Sequence, residues 1–336
     1  MKKTILAVAI PALFAASAQA ANVYDADGVS ADVYGRMQFD IRDEQNKDAN
    51  DNLLDGTDTN GVGSARMGFN ARSEIAPGIA GVAKGEWQIA AENSDDSKFK
   101  ARHLYAGFDF DDAGTVVFGQ TDTAFYKSVE ATDVWNSYGY SAFNYVEDGR
   151  QEGQIIYNGE FGGFYVGASY QFKDDAFTVD LGTPNNSNEV TTAAKLDSSY
   201  ATTIGYNFAD LGLAVYGGYH KEKFANADKE NYALSAAYTL NDLYLGAVYA
   251  ATDLEGAKLQ GYDLVATYDI DAVKLFGGYT AQEAKGSISA QGDTVDEFTL
   301  GVQYSFNSNM KTWAEYKADS IDGKEDLWTI AVQYNF

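Results

Sequence analysis

Ten residues near the start of the chain constrain its fold more than any other stretch. In Val33-Tyr34-Gly35-Arg36-Met37-Gln38-Phe39-Asp40-Ile41-Arg42, the odd positions are apolar or small and the even ones are Tyr, Arg, Gln, Asp and Arg. A period of two is the signature of a strand whose two faces meet different surroundings. Ala65, Met67, Phe69 and Ala71 alternate in the same way with Arg66, Gly68, Asn70 and Arg72, and Trp328, Ile330, Val332, Tyr334 and Phe336 with Thr329, Ala331, Gln333 and Asn335. No dry core accepts such a polar face unpaired. One face therefore meets water and the other something apolar.

The pattern recurs along the chain. Candidate strands fall at 32–42, 64–75, 80–92, 100–110, 114–122, 150–161, 164–172, 199–208, 211–223, 231–240, 242–253, 261–270, 272–283, 297–306, 310–319 and 327–336. Most approach the ~10 residues that a tilted membrane strand requires. Tight connectors such as Pro77-Gly78, Gly162-Gly163, Asn241 and Asp271 are interspersed with long polar ones at 43–63, 123–149, 173–198 and 284–296. This predicts an all-β fold: a transmembrane antiparallel up-and-down β-barrel of about sixteen strands, with short periplasmic turns and long extracellular loops. A secreted β-sandwich has no reason to alternate loop length so regularly. Closure satisfies every backbone polar group, as lipid demands. Tyr304 and Phe306, Tyr268 and Phe208 lie near strand ends, where amphipathic rings form girdles at the membrane interface.

Residues 1–20 belong to export and not to the barrel. Lys2 and Lys3 precede a short apolar run from Ile5 to Ala16, and Ala18-Gln19-Ala20 provides a cleavage pattern. Cleavage after Ala20 leaves residues 21–336 as a single barrel. Without Lys2 and Lys3, 22 basic residues face 49 acidic ones, a balance of −27. Nucleic-acid binding, which needs a basic footprint, is disfavoured, whereas an acidic aqueous lumen fits. The absence of cysteine removes disulfides and thiol chemistry.

Catalysis has little to work with. The two histidines are His103 and His220. His220, beside Lys221 and Glu222, is the one candidate for a barrel hydrolase, against the plainer reading of a solvated strand end. The oxygen-rich run from Asp48 to Asp58 lacks the spacing of a dedicated calcium loop and reads as a solvated acidic loop. No cofactor or metal is expected.

The leader, Asp32-Val33-Tyr34-Gly35-Arg36 and the ending Gln333-Tyr334-Asn335-Phe336 resemble the general, trimeric diffusion porins of Gram-negative outer membranes, specifically the gammaproteobacterial family. The resemblance spans essentially the whole chain. It implies a homotrimer among outer-membrane lipid and lipopolysaccharide, a passive water-filled channel for small hydrophilic solutes and ions, and insertion by the barrel-assembly machinery, which would read Phe336, Tyr334 and Val332. It also implies a constriction formed by a loop at about 123–149 folded into the barrel. Arg36, Arg66, Arg102 and Arg150 match the family's basic wall, and Asp133 matches one loop acid. The second acid's place holds Ser137, with Glu130 or Glu147 as substitutes, and the family's Pro-Glu-Phe-Gly-Gly-Asp loop sequence is missing.

Strand parity turns Arg36 and Arg66 inward. Arg102 shares parity with Leu104, Ala106 and Phe108, so either the strand carries a bulge or those apolar groups do not face lipid. Basic groups facing acids across a narrow gap would create a transverse field that favours polar solutes, and the acid excess predicts mild cation preference. Two alternatives remain. The loop aromatics Phe125, Tyr126, Trp135, Tyr138, Tyr140, Phe143 and Tyr145 would suit a sugar-specific channel, unless they simply pack the loop against the wall. A structural or adhesive barrel would place its function in the outer loops.

Overall fold

The computed structural model describes residues 21–48, 53–90, 99–139, 149–173, 178–179, 192–193, 195–225 and 227–336. The expected leader, Glu147, and the rings of Tyr140, Phe143 and Tyr145 lie outside these residues. The strands are β1 (Ala21–Ala26), β2 (Val29–Lys47), β3 (Leu53–Ala76), β4 (Ile79–Ala90), β5 (Phe99–Asp109), β6 (Thr115–Asp122), β7 (Arg150–Phe161), β8 (Phe164–Gln171), β9 (Thr178–Val179), β10 (Thr192–Ala193), β11 (Leu196–Phe208), β12 (Leu213–Phe224), β13 (Asp228–Leu240), β14 (Leu243–Leu254), β15 (Ala257–Ile270), β16 (Val273–Gly286), β17 (Asp293–Ser305), β18 (Met310–Asp319) and β19 (Leu327–Asn335).

β2 to β8 and β11 to β19 form a closed antiparallel ring of sixteen strands. β8 pairs with β11, and β19 returns to β2 over Arg36–Arg42. The seam is tied further by Gly35 N–H to the Phe336 carbonyl (2.9 Å) and Phe336 N–H to the Gly35 carbonyl (3.0 Å). β1, which the alternation does not announce, folds back on residues 29–33 of β2 below the end of β19. β9 and β10 pair antiparallel as a separate two-stranded sheet.

The alternation is realised as inward and outward faces. Met37, Phe39 and Ile41 are exposed on the outer surface, while Gln38 and Asp40 between them are half-buried and buried. The tight turns between strands use residues that tolerate a left-handed backbone, as at Asn241 (φ +52°) and Asp271 (φ +51°). Opposite them, β2 and β3 run on to Lys47 and from Leu53, where a long loop at 43–63 was expected. The extension is polar on both faces and held by cross-strand contacts, such as Thr59 Oγ1 to Asp43 Oδ1 at 2.6 Å, so no hydrophobic period marks it. The connection expected at 284–296 shrinks similarly, because β16 reaches Gly286 and β17 starts at Asp293.

Apolar clusters also occur inside the barrel. One packs Phe125, Val129 and Ala131 of the segment after β6 against Ala201, Ala233, Ala237, Tyr244, Val248 and Val265 of the wall. A second joins Leu196, Phe224, Leu254, Ala257, Leu259 and Ala284 at the far ends of β11 to β16. The inner face is thus not uniformly polar. Across β11 to β16 its alanines and glycines accept a loop instead of water.

Candidate functional site

The segment after β6 turns into the barrel at Thr123 and follows the inner wall. Two short 3-10 turns, Ala124–Ser128 and Glu130–Thr132, place Phe125, Val129 and Ala131 against the wall. The wall is shaped to admit them. A Cβ on Gly218 would lie 2.2 Å from Ser128 Oγ, and one on Gly246 would lie 2.2 Å from the Ala131 carbonyl oxygen. Polar ties complete the seat: Thr203 Oγ1 donates to the Ala124 carbonyl (2.7 Å) and Tyr244 Oη to the Ala131 carbonyl (2.6 Å).

Farther along, the loop crosses to β16 and β18. Trp135 meets Phe276 edge-on, with ring centroids 5.9 Å apart. The carboxylate of Glu315 on β18 then receives three successive backbone N–H groups, from Asn136 (2.9 Å), Ser137 (3.1 Å) and Tyr138 (2.8 Å). A carboxylate seated on converging amides is a strong, directional anchor. Lys311 Nζ donates to Asn136 Oδ1 (2.8 Å), and Trp313 Nε1 donates to Ser137 Oγ (3.0 Å). Ser137, expected at the place of the family's second acid, is part of this anchor. Phe125 and Trp135 are packing residues, with their rings committed to the wall.

The opposite wall carries the arginines. Arg36 on β2 and Arg66 on β3 are cross-strand partners. Both point inward, and their Nε atoms have no hydrogen-bond partner among the described residues. The parity conflict at Arg102 is resolved by a bulge. Glu86 pairs with His103 but Trp87 pairs with Ala101, so Arg102 is the extra residue in β5. It turns inward while Leu104 and Phe108 remain exposed outside. Its Nε donates to Glu86 Oε1 (2.7 Å) and its Nη1 to Gln88 Oε1 (3.3 Å). Tyr34 Oη donates to the other oxygen of Glu86 (3.0 Å). Arg150 opens β7 and lies 3.6 Å from Asp122 Oδ1.

Asp133 closes the 3-10 turns of the loop and accepts from Tyr126 Oη at 2.7 Å. It lies within electrostatic reach of Arg150, Arg66 and Arg102. Burial raises its carboxyl above the ordinary aspartate range, while the Tyr126 hydroxyl and those arginines pull it back down. Glu130 is committed locally to an ion pair with Lys127 three residues earlier. His220 is fully buried against Phe125, not a solvated strand end (ring centroids 6.0 Å apart), with Asn231 3.5 Å from its Nδ1. Of the acidic run from Asp48 to Asp58, residues 49–52 lie outside the described residues and 53–58 belong to β3.

Glu86 and Glu315 were not singled out from sequence. Glu86 shares parity with Lys84 and Gln88, and Glu315 with Lys311, Trp313 and Lys317, so an inward-facing count on each strand would have flagged both.

The profile of Gram-negative porins matches residues 6–336. The chain belongs to the Gram-negative porin family. Among curated relatives of this porin, outer membrane protein U of Vibrio cholerae is 32% identical over 367 residues, covering all of both chains. The outer membrane porin PhoE of Enterobacter cloacae is 26% identical, again over the full length of both. Among solved structures, Salmonella typhi OmpF superposes with a TM-score of 0.78 at 20% identity, over 94% of this chain and all of that one. An anion-selective porin from Comamonas acidovorans gives 0.70 at 17% identity, over 92% and 100%. The porin is a protein of the Gram-negative outer membrane.

Proposed function

We propose that this chain is a general diffusion porin: a water-filled channel narrowed by its inward loop, through which small hydrophilic solutes and ions pass passively. The observation that carries this reading is the position of Asp133 on the loop, in reach of Arg66, Arg102 and Arg150 on the facing wall. Arg36, Arg66, Arg102 and Arg150 are the basic side of the constriction, and Asp133 is its acidic side. Glu130, neutralised by Lys127, adds little field. Polar solutes align in such a gap, whereas apolar ones must displace oriented water.

The same reading gives mild cation preference. Asp40, Asp263, Glu297 and Glu315 are further carboxylates on the inner wall, and the chain carries a large acid excess. The fold itself does not set the sign, since an anion-selective porin shares it. The working form is a homotrimer surrounded by outer-membrane lipid and lipopolysaccharide, after cleavage near Ala20. Phe336, Tyr334 and Val332 on the closing strand are the signal to the barrel-assembly machinery. A sugar-specific lining is disfavoured, because Phe125 and Trp135 are turned to the wall.

Conductance of the purified protein in a planar bilayer under a salt gradient tests this. The expected record has large ohmic steps, closing in threes, with a cation-selective reversal potential. A silent bilayer with folded, inserted protein would overturn it.

A further inference from the structure

Lys127 is placed unusually for a cation in a water-filled barrel. Its ammonium lies over two tyrosine rings, 5.0 Å from the centroid of Tyr216 and 5.7 Å from that of Tyr165, and is ion-paired to Glu130. The two rings meet edge to face at 5.7 Å, with an interplanar angle of 83°. The backbone builds this arrangement. Gly205 of β11 is the cross-strand partner of both Tyr165 on β8 and Tyr216 on β12. With no side chain between them, the rings close over the glycine, where a Cβ would lie 2.1 Å from Tyr216 Cδ1. Tyr165 is held from behind by its hydroxyl bond to Asn158 Oδ1 (2.7 Å).

We propose that Tyr165, Tyr216 and Glu130 form a cation-binding cage in the periplasmic half of the lumen, a site for organic ammonium solutes that Lys127 occupies as a tethered competitor. Aromatic faces with a carboxylate select bulky, weakly hydrated ammonium groups over sodium or potassium, which keep their water. The cage is open to exchange, because the side chains of Lys127 and Glu130 are 25% and 33% exposed. Withdrawal of Lys127 does not require the loop to leave the wall, since Thr203 and Tyr244 hold the neighbouring backbone independently. The tether gives Lys127 a high local concentration, so passing solutes bind weakly and are not trapped.

The inference rests on the pore reading, and the test separates the two. Tetramethylammonium chloride is added on the periplasmic side of the purified protein in a planar bilayer, with equal sodium chloride as control. The wild type should show a weak, nearly linear loss of current. Lys127→Ala should show saturable block with apparent affinity roughly tenfold tighter or more, and Lys127→Ala/Glu130→Gln should lose it. Lys127→Gln is the second variant should the alanine form fail to insert, with the same direction expected. Equal block in wild type and the Lys127 variant, block that survives Glu130→Gln, or block reproduced by sodium would each overturn the cage. A silent wild type would instead count against the pore. The cage is then read from broadening of the tetramethylammonium methyl NMR signal by detergent-solubilised protein, expected to be greater for Lys127→Ala, and equal broadening overturns it.

Discussion

Arg102 and Glu86 meet at 2.7 Å on the same inner wall, across the bulge that breaks the alternation of β5. The basic wall thus contains its own carboxylate. Tyr34 donates to the same group, and both partners are largely withdrawn from solvent. Removing one member of such a pair leaves the other charge uncompensated and costs about 3 kcal/mol. Glu86→Gln should therefore lower the stability of the folded barrel by roughly that amount, read as a lower denaturant midpoint. It should also shift the reversal potential toward anions. An unshifted reversal potential would mean that Glu86 does not contribute to the field of the pore.

Glu315 gives a second prediction, about order and not charge. Its carboxylate gathers three consecutive backbone N–H groups of the loop, each a charge-assisted bond. Glu315→Ala should free residues 136–138 from β18 while leaving the seat of residues 124–131 intact. The measurable outcome is increased open-channel noise and faster proteolysis within the loop, with unchanged insertion of the barrel. Quiet channels would show that packing of Trp135 on Phe276 suffices.

Much of this fold was legible in the sequence, because lipid on one side and water on the other impose a period of two on every strand. The sixteen strands followed from that alone. The extension of β2 and β3 beyond the membrane did not, since water meets both faces there and Arg42-Asp43-Glu44 carries no hydrophobic period. The bulge at Arg102 was legible only as a contradiction: an arginine on the parity of Leu104 and Phe108. The site was harder to read. Arg36 and Arg66 are marked by strand position, but whether Glu130 faces the pore depends on Lys127, and the seat of the loop depends on glycines such as Gly246 whose role appears only when another segment approaches them.

Asp133 predicts a pH dependence with a definite sign. Burial raises its carboxyl, so on acidification it gains a proton at higher pH than an ordinary aspartate. Each proton removes negative charge from the proposed constriction, and cation preference should fade at higher pH than an ordinary aspartate would set. Tyr126→Phe deletes a donor that favours the ionised form, so the fade should move to still higher pH. Asp133→Asn should weaken cation preference at neutral pH and flatten this window. Arg36→Gln or Arg66→Gln should strengthen the preference. Reversal potentials from neutral to mildly acidic pH check all four variants. If none moves the reversal potential, the constriction lies elsewhere.

Gly246 tests whether the loop owes its position to the wall. A Cβ there would fall 2.2 Å from the Ala131 carbonyl oxygen, which also accepts from Tyr244. Backbone has no rotamer with which to yield, so Gly246→Val should push residues 129–133 off β14. Overpacking of this kind costs about 1–3 kcal/mol, too little to open a closed sixteen-strand ring. The barrel should still fold and insert, but Asp133 would be displaced relative to the arginines. The expected signature is altered conductance together with weakened ion selectivity. The comparison is Gly217→Ala, one residue out of phase on β12, where the nearest atom to the added carbon is 3.8 Å away. That variant should behave as wild type. Wild-type conductance and selectivity in Gly246→Val would mean that the loop is positioned by Glu315 and its neighbours alone.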